Sequence, residues 1–169
     1  QNLLPQALDL AKRANKVNPS DTSSVTAVVS LHIKLGEWQE ALRAIDQHAR
    51  KGFMRRADML RLRGLTHLMH AESMLEQSRT EEAQRAAVQA SKFLRGFVPA
   101  TILLAKVYAA SAQSDKAIKV LYKAWRNDQH PQLAAMIQSL AGSNKKKYAK
   151  ILKAIASNAN DLAALWTCS

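Results

Sequence analysis

Residues 98–131 read VPATILLAKVYAASAQSDKAIKVLYKAWRNDQHP. This stretch of 34 residues decides the fold. It reads as two helices with a turn between them. Ala117 lies 34 residues after Ala83, and far upstream Ala41 lies 34 residues after Ala7. A small residue recurring at that interval marks a helical repeat array, whose units bury their apolar faces only against neighbours. Arrays of this kind serve mostly as binding surfaces, so an enzyme is not expected.

The totals agree with helices. The chain has 169 residues, enough for one domain with a real core. It is 47% apolar, with only five Gly and four Pro. Residues 24–31, SVTAVVSL, are the best strand candidate, yet they lie inside the helical period. Lys and Arg number 25 against 13 Asp and Glu, a formal charge of +12. That balance suits an acidic partner: nucleic acid, an anionic membrane face or an acidic protein. The single cysteine, Cys168, excludes an intrachain disulfide framework. No apolar run in these residues reaches the ~18–20 of a membrane span, and the opening Gln argues against a signal peptide. The first residues already follow a helical pattern and the last, LWTCS, carry no cap. The reading is therefore of a fragment, with any membrane anchor outside it.

Taken in order, residues 1–169 form a single domain of stacked helical units. Residues 1–21 give a leading helix over 2–17, with Pro5 in its first turn and Ala7, Ala11 and Ala14 along one face. Repeat units follow at 22–55, 56–97, 98–131 and 132–161, and residues 162–169 begin a further helix. In the first unit Ser20, Asp21 and Thr22 offer cap oxygens, and Gly36 suits the left-handed end of a helix. The partner helix places Trp38, Ala41, Leu42, Ile45 and His48 on its packing face. The helix over 56–77 is longer than the repeat needs. The last unit is shortened, with a basic helix over 144–156 carrying Tyr148, Ile151, Leu152 and Ile155.

Small residues at fixed places, a Gly then an aromatic at the turn, and Pro-x-Asp at the end resemble the tetratricopeptide repeat. The residues that carry the likeness are Gly36, Trp38 and Ala41, with Ala7, Ala14, Pro19 and Asp21 before them. Ala105, Tyr108, Ala117, Leu121 and Ala124 carry it in residues 98–131, where Ala112 stands for the turn Gly and Ser114 for the aromatic. The resemblance implies an all-α superhelical solenoid with a concave groove lined by the first helix of each pair. Ser23, Thr26, Ser30, Ile33 and Lys34 are expected to line it, with Leu65, Leu68, Glu72 and Leu75, and then Ile102, Lys106 and Ala109. That is a mixed surface, without the Lys and Asn set that clamps a C-terminal carboxylate in some such domains.

Other chemistry is poorly supported. No nucleophile elbow, phosphate-binding Gly loop, HExxH or CxxC is present. His67 and His70 stand three apart, but lack the Cys or carboxylate partners of a metal site. No catalytic residue, metal or cofactor is expected. The Lys145–Lys147 run with Lys150 and Lys153, and the stripe Lys116, Lys119, Lys123 and Arg126, are the densest basic clusters. They suit an anionic membrane surface or, as the rival reading, a nucleic-acid backbone. Base recognition would want exposed aromatics, and only Tyr148 lies nearby.

One segment narrows the likeness. Residues 117–134, AIKVLYKAWRNDQHPQLA, are similar to the HemY family of membrane-anchored repeat proteins of proteobacteria. Trp125, His130, Pro131 and Leu133 carry the similarity, with Ala117 and Ala124 as repeat positions. The resemblance implies a repeat domain following N-terminal helices of the inner membrane, with the cytoplasmic side favoured. It further implies a non-catalytic protein-binding scaffold associated with haem and porphyrin synthesis. An unrelated oxidase shares the family's name, but this chain has no dinucleotide-binding Gly motif. Trp125 and His130-Pro131 are expected to fix the exit geometry of the repeat.

Overall fold

The computed structural model describes residues 3–142 and 146–156. Among them lie α1 (Leu3–Val17), α2 (Thr22–Lys34), α3 (Trp38–Arg50), α4 (Arg56–Glu76), α5 (Thr80–Phe93), α6 (Val98–Ala110), α7 (Ser114–Asn127) and α8 (Pro131–Ala141). Residues 149–156 are helical as well. Among the described residues there is no strand, and no helix is long and apolar enough to cross a membrane.

The helices pack as hairpins, α2 with α3, α4 with α5 and α6 with α7, and each hairpin stacks on the next through α3 on α4, α5 on α6 and α7 on α8. The small residues explain the close pairing. Val29 and Ala41, Ala71 and Ala83, and Ala105 and Ala117 are each twelve residues apart, and all six are fully buried. Each pair belongs to one apolar cluster. A larger side chain in such a place would force the helices apart, at about 1–3 kcal/mol.

The turns repeat as well. Gly36, Ser78 and Ala112 sit at φ 74°, 60° and 56° after α2, α4 and α6. In each turn the next N–H reaches back five residues: Glu37 to the His32 carbonyl at 2.9 Å, Arg79 to Met74 at 2.9 Å, Gln113 to Tyr108 at 2.8 Å. This bond satisfies a carbonyl that the helix end leaves free. Only Gly36 has the residue type that the left-handed conformation favours. Ser78 and Ala112 hold it because the hairpin packing imposes it, at a cost of about 1–2 kcal/mol each.

Among the described residues, two helix starts carry a side-chain cap. Asp21 caps α2 by accepting from the Ser23 hydroxyl and from the Ser23 N–H, the latter at 3.0 Å, and those bonds hold its carboxyl below its usual pKa. His130 caps α8 by accepting the Gln132 N–H at 3.3 Å, and Pro131 follows in the first turn, where a missing N–H is harmless.

Some expectations are corrected. In α1 only Leu8 is buried, and Ala14 is exposed, so the face turned to α2 is narrower than the alanine pattern suggests. Asn15 joins that face by accepting from Ser24 Oγ at 2.9 Å. Helix α4 ends at Glu76, one residue early. Residues 146–148 form a turn, so the last described helix starts at 149 and Tyr148 packs from the turn. The expected turn at 158–161 and the helix over 162–166 lie outside the described residues, as do Lys145 and Cys168.

Candidate functional site

The first helices of successive pairs touch one another, α2 with α4, α4 with α6 and α6 with α8. They therefore share one face, and the turns give it a register. Six residues before each left-handed turn residue stand Ser30, Glu72 and Lys106, and all three are exposed. Ten residues before it stand Thr26, Leu68 and Ile102. Thr26 and Ile102 are half-buried, but Leu68 is only 7% exposed. Leu68 does not line the face as expected; it fills the core with Ala71, Ala87 and Leu104. Its neighbour Met69, 45% exposed, takes the outward place on that turn. Ser23 and Lys34 are exposed, and Ile33, Leu65, Leu75 and Ala109 are half-buried. The face is a ladder of hydroxyl, carboxylate and ammonium groups with apolar side chains between them. A partner segment laid across it meets one rung per repeat.

Of the signature residues, Ala41, Ala117 and Trp125 lie inside the packing, whereas Gly36 and Pro131 are exposed at a turn and a helix start. Trp125 is 5% exposed, in a cluster with Leu121, Leu133 and Ile137 and stacked on Tyr122 at 6.0 Å. Ala117 is fully buried and Ala124 half-buried in the same cluster. Trp38 leaves its own hairpin and stacks on His70 of α4 at 5.0 Å. Trp38 and Trp125 join one repeat to the next, and Ala117 packs within its own hairpin.

On the opposite side, a groove of about 530 Å³ runs between α3 and α5 over α4, lined by Gln39, His67, His70, Glu82 and Gln89 among others. His67 stacks on Phe93 at 5.8 Å. Burial lowers the pKa of His67, helped by nearby His70 and Arg63. Burial also lowers that of His70, partly opposed by Glu82. In both rings burial favours the neutral imidazole. Among the described residues no three His, Cys, Asp or Glu side chains are grouped to hold a metal ion.

Lys116, Lys119, Lys123 and Arg126 are all exposed on the outer side of α7. Lys146, Lys150 and Lys153 are exposed beyond them. Lys147 is engaged with Asp115, its Nζ at 2.6 Å from both carboxylate oxygens, and Tyr148 donates to the same carboxylate. Those donors lower the Asp115 pKa, and the carboxylate in turn raises those of Lys147 and Tyr148.

One surface was missed in the sequence. A pocket of about 350 Å³ lies where the start of α4 meets the connection from α5 to α6, with Leu60, Arg61, Leu65, Leu94, Arg95 and Phe97 in its wall. The length of α4 was the available signal, since its extra turns bring Leu60 and Arg61 beside that connection.

Comparison with solved structures bears on the fold. The chain is similar to MamA from Desulfovibrio magneticus RS-1, at 16% identity and TM-score 0.55, covering 95% of this chain and 88% of that one. A second MamA structure aligns at 13% identity and TM-score 0.58, over 95% and 91% of the two chains. YrrB, described as a tetratricopeptide protein with an unusual peptide-binding site, aligns at 15% identity and TM-score 0.52, over 90% and 76%. No family model matches the chain, and no curated protein matches its sequence. The chain is an all-helical tetratricopeptide-repeat solenoid.

Proposed function

We propose that this solenoid is a non-catalytic scaffold that binds segments of partner proteins along the shared face of α2, α4 and α6. The observation that carries the reading is the exposed ladder Ser30, Glu72 and Lys106, one rung per repeat and flanked by Thr26 and Ile102. Groups of mixed chemistry at a fixed interval suit an extended polypeptide, whose own side chains alternate at a regular rise. The likeness to YrrB adds support, since that protein is described as binding peptide on the same fold. A peptide array probed with the labelled protein tests it. Bound peptides are expected to lose at least tenfold in affinity to the Ile102→Asp and Lys106→Glu variants. Unchanged affinity in both variants would reject the groove.

The finer reading is of the repeat part of a HemY-like inner-membrane protein, on the cytoplasmic side, working beside haem or porphyrin synthesis. Its supports are the similarity of residues 117–134 and the exposed basic clusters, which anionic lipid attracts. Fractionation of cells carrying the tagged native protein tests the setting. Retention in the inner-membrane fraction after a high-salt wash is the expected result, and release with the soluble proteins contradicts it. Loss of the gene is expected to raise porphyrin precursors in the cell, and unchanged levels would sever the link to haem.

A further inference from the structure

Helix α4 has 21 residues, whereas α2 and α6 have 13 each. The turn after α4 and the buried Ala71 and Ala83 keep the repeat register, so the eight extra residues, about two turns, lie at its start. They extend past the point where the other first helices begin and run beside the connection from α5 to α6. Gly64 lets that connection come in close. A Cβ there would stand 2.4 Å from Leu94 Cγ, so Leu94 seats directly on the helix backbone. The product is the pocket of about 350 Å³. Its size is at the small end of the usual range for ligand sites and suits one large apolar side chain.

The wall is apolar and the rim is cationic. Leu60, Leu65 and Leu94 make the wall, and Phe97 stands at the mouth, 41% exposed. Arg61 and Arg95 are exposed beside them. Arg55, Arg63 and Arg79 are engaged with Asp58, Asp46 and Glu82. Arg61 and Arg95 have no carboxylate partner among the described residues. A guanidinium left free next to an apolar hollow is well placed to receive a carboxylate in a two-pronged bond.

We propose that this pocket binds a polypeptide segment in which a large apolar side chain lies next to a carboxylate. The apolar group enters between Leu60 and Leu94, and the carboxylate meets Arg61 and Arg95. This rests on the peptide-scaffold reading above and gives that scaffold's partner a chemistry. Arg61, Leu65, Met69 and Glu72 follow at i, i+4, i+8 and i+11, along one face of α4. A segment anchored in the pocket therefore runs onto the ladder. The charge of +12 favours such an acidic partner over a neutral one. Two cations around an apolar hollow fit a carboxylate peptide better than a phosphate backbone, which wants a longer basic track.

Fluorescence anisotropy with a labelled Phe-Glu-Leu-Asp-Phe-Glu peptide tests the proposal. Saturable binding is expected, at least tenfold weaker for the peptide with Gln and Asn in place of its acids, and for the one with Ala in place of Phe and Leu. Arg61→Glu, Arg95→Glu and Leu60→Glu are each expected to weaken it at least fivefold. Circular dichroism and thermal melts check that the variants stay folded, and a second series, Arg61→Gln and Arg95→Gln, replaces any that do not. If Ile102→Asp abolishes binding while the Arg61, Arg95 and Leu60 variants bind normally, the pocket is wrong and the scaffold stands. If this peptide and every peptide of the array fail to bind, both are wrong. Equal binding of heparin or of anionic lipid vesicles, competing with the peptide, also overturns the proposal.

Discussion

Gly64 is the sharpest test of how the hairpins are held. It lies inside α4, where replacing Gly by Ala ordinarily stabilises a helix by about 1 kcal/mol. Here the added Cβ would stand 2.4 Å from Leu94 Cγ, 2.8 Å from Leu94 Cδ2 and 3.1 Å from Phe93 Cβ. Carbon atoms pack best at about 3.5–4.0 Å, so Leu94 has to move by about an ångström. It cannot do so by swinging its tip alone, because Cγ itself is in the way. Overpacking of that kind costs about 1–3 kcal/mol, which exceeds the helix gain. Gly64→Ala is therefore expected to destabilise the protein by up to about 2 kcal/mol net. For a chain of this size the melting temperature falls by up to about 6 °C. Thermal and urea denaturation followed by circular dichroism measure it. The variant Leu94→Ala supplies the control, because with Leu94 truncated Gly64→Ala becomes neutral or stabilising. A coupling of at least 1 kcal/mol between the two sites is expected for side chains in contact. If Gly64→Ala alone raises the stability, the close approach of α4 to Leu94 is wrong, and the back wall of the pocket goes with it.

The remaining predictions concern turn, core and pH. Ala112 holds φ 56°, so Ala112→Gly is expected to stabilise, by about 0.5–1 kcal/mol, once relief of strain is set against the chain entropy of Gly. A loss of stability on denaturation would contradict the turn. Trp125→Ala removes a buried ring and is expected to cost about 3–5 kcal/mol, whereas His130→Ala removes a helix cap and costs about 1 kcal/mol. Equal losses would mean that Trp125 is not in the core. Burial lowers the pKa of His67 and His70 from 6.5, so the unfolded chain takes up protons first as the pH drops. Stability is then full above the unfolded value, falls as pH goes down through it, and levels off below the folded values. Melts between pH 8 and 5 are expected to show that decline, and the His67→Gln/His70→Gln variant to flatten it.

Much of this fold is legible in the sequence because repeats state it several times. The alanines at 41, 83 and 117 are fixed by helix proximity, and a close approach admits few other side chains. Gly36 is readable for the same reason. Ser78 and Ala112 are not, since nothing in either residue type signals a left-handed turn; the packed hairpin imposes it. The inner ladder was half legible. Its exposed rungs follow from the register, but Leu68 sits at the boundary between face and core, and a period cannot tell the two apart. The pocket was hidden for a different reason. Its wall joins Leu60 and Arg61 to Leu94, Arg95 and Phe97, more than thirty residues further on. Only the folded path of the connection from α5 to α6 brings them together.

The account stands most directly on whether the inner face binds polypeptide. Titration of array-selected peptides against the wild type and the Ile102→Asp, Lys106→Glu double variant is the deciding measurement. Saturable one-to-one binding, lost in the variant while its melting curve is kept, is the result expected. Binding that survives in the variant would contradict the account. So would an absence of peptide binding beside tight, steeply salt-dependent binding of RNA, which would move function to the cations of α7.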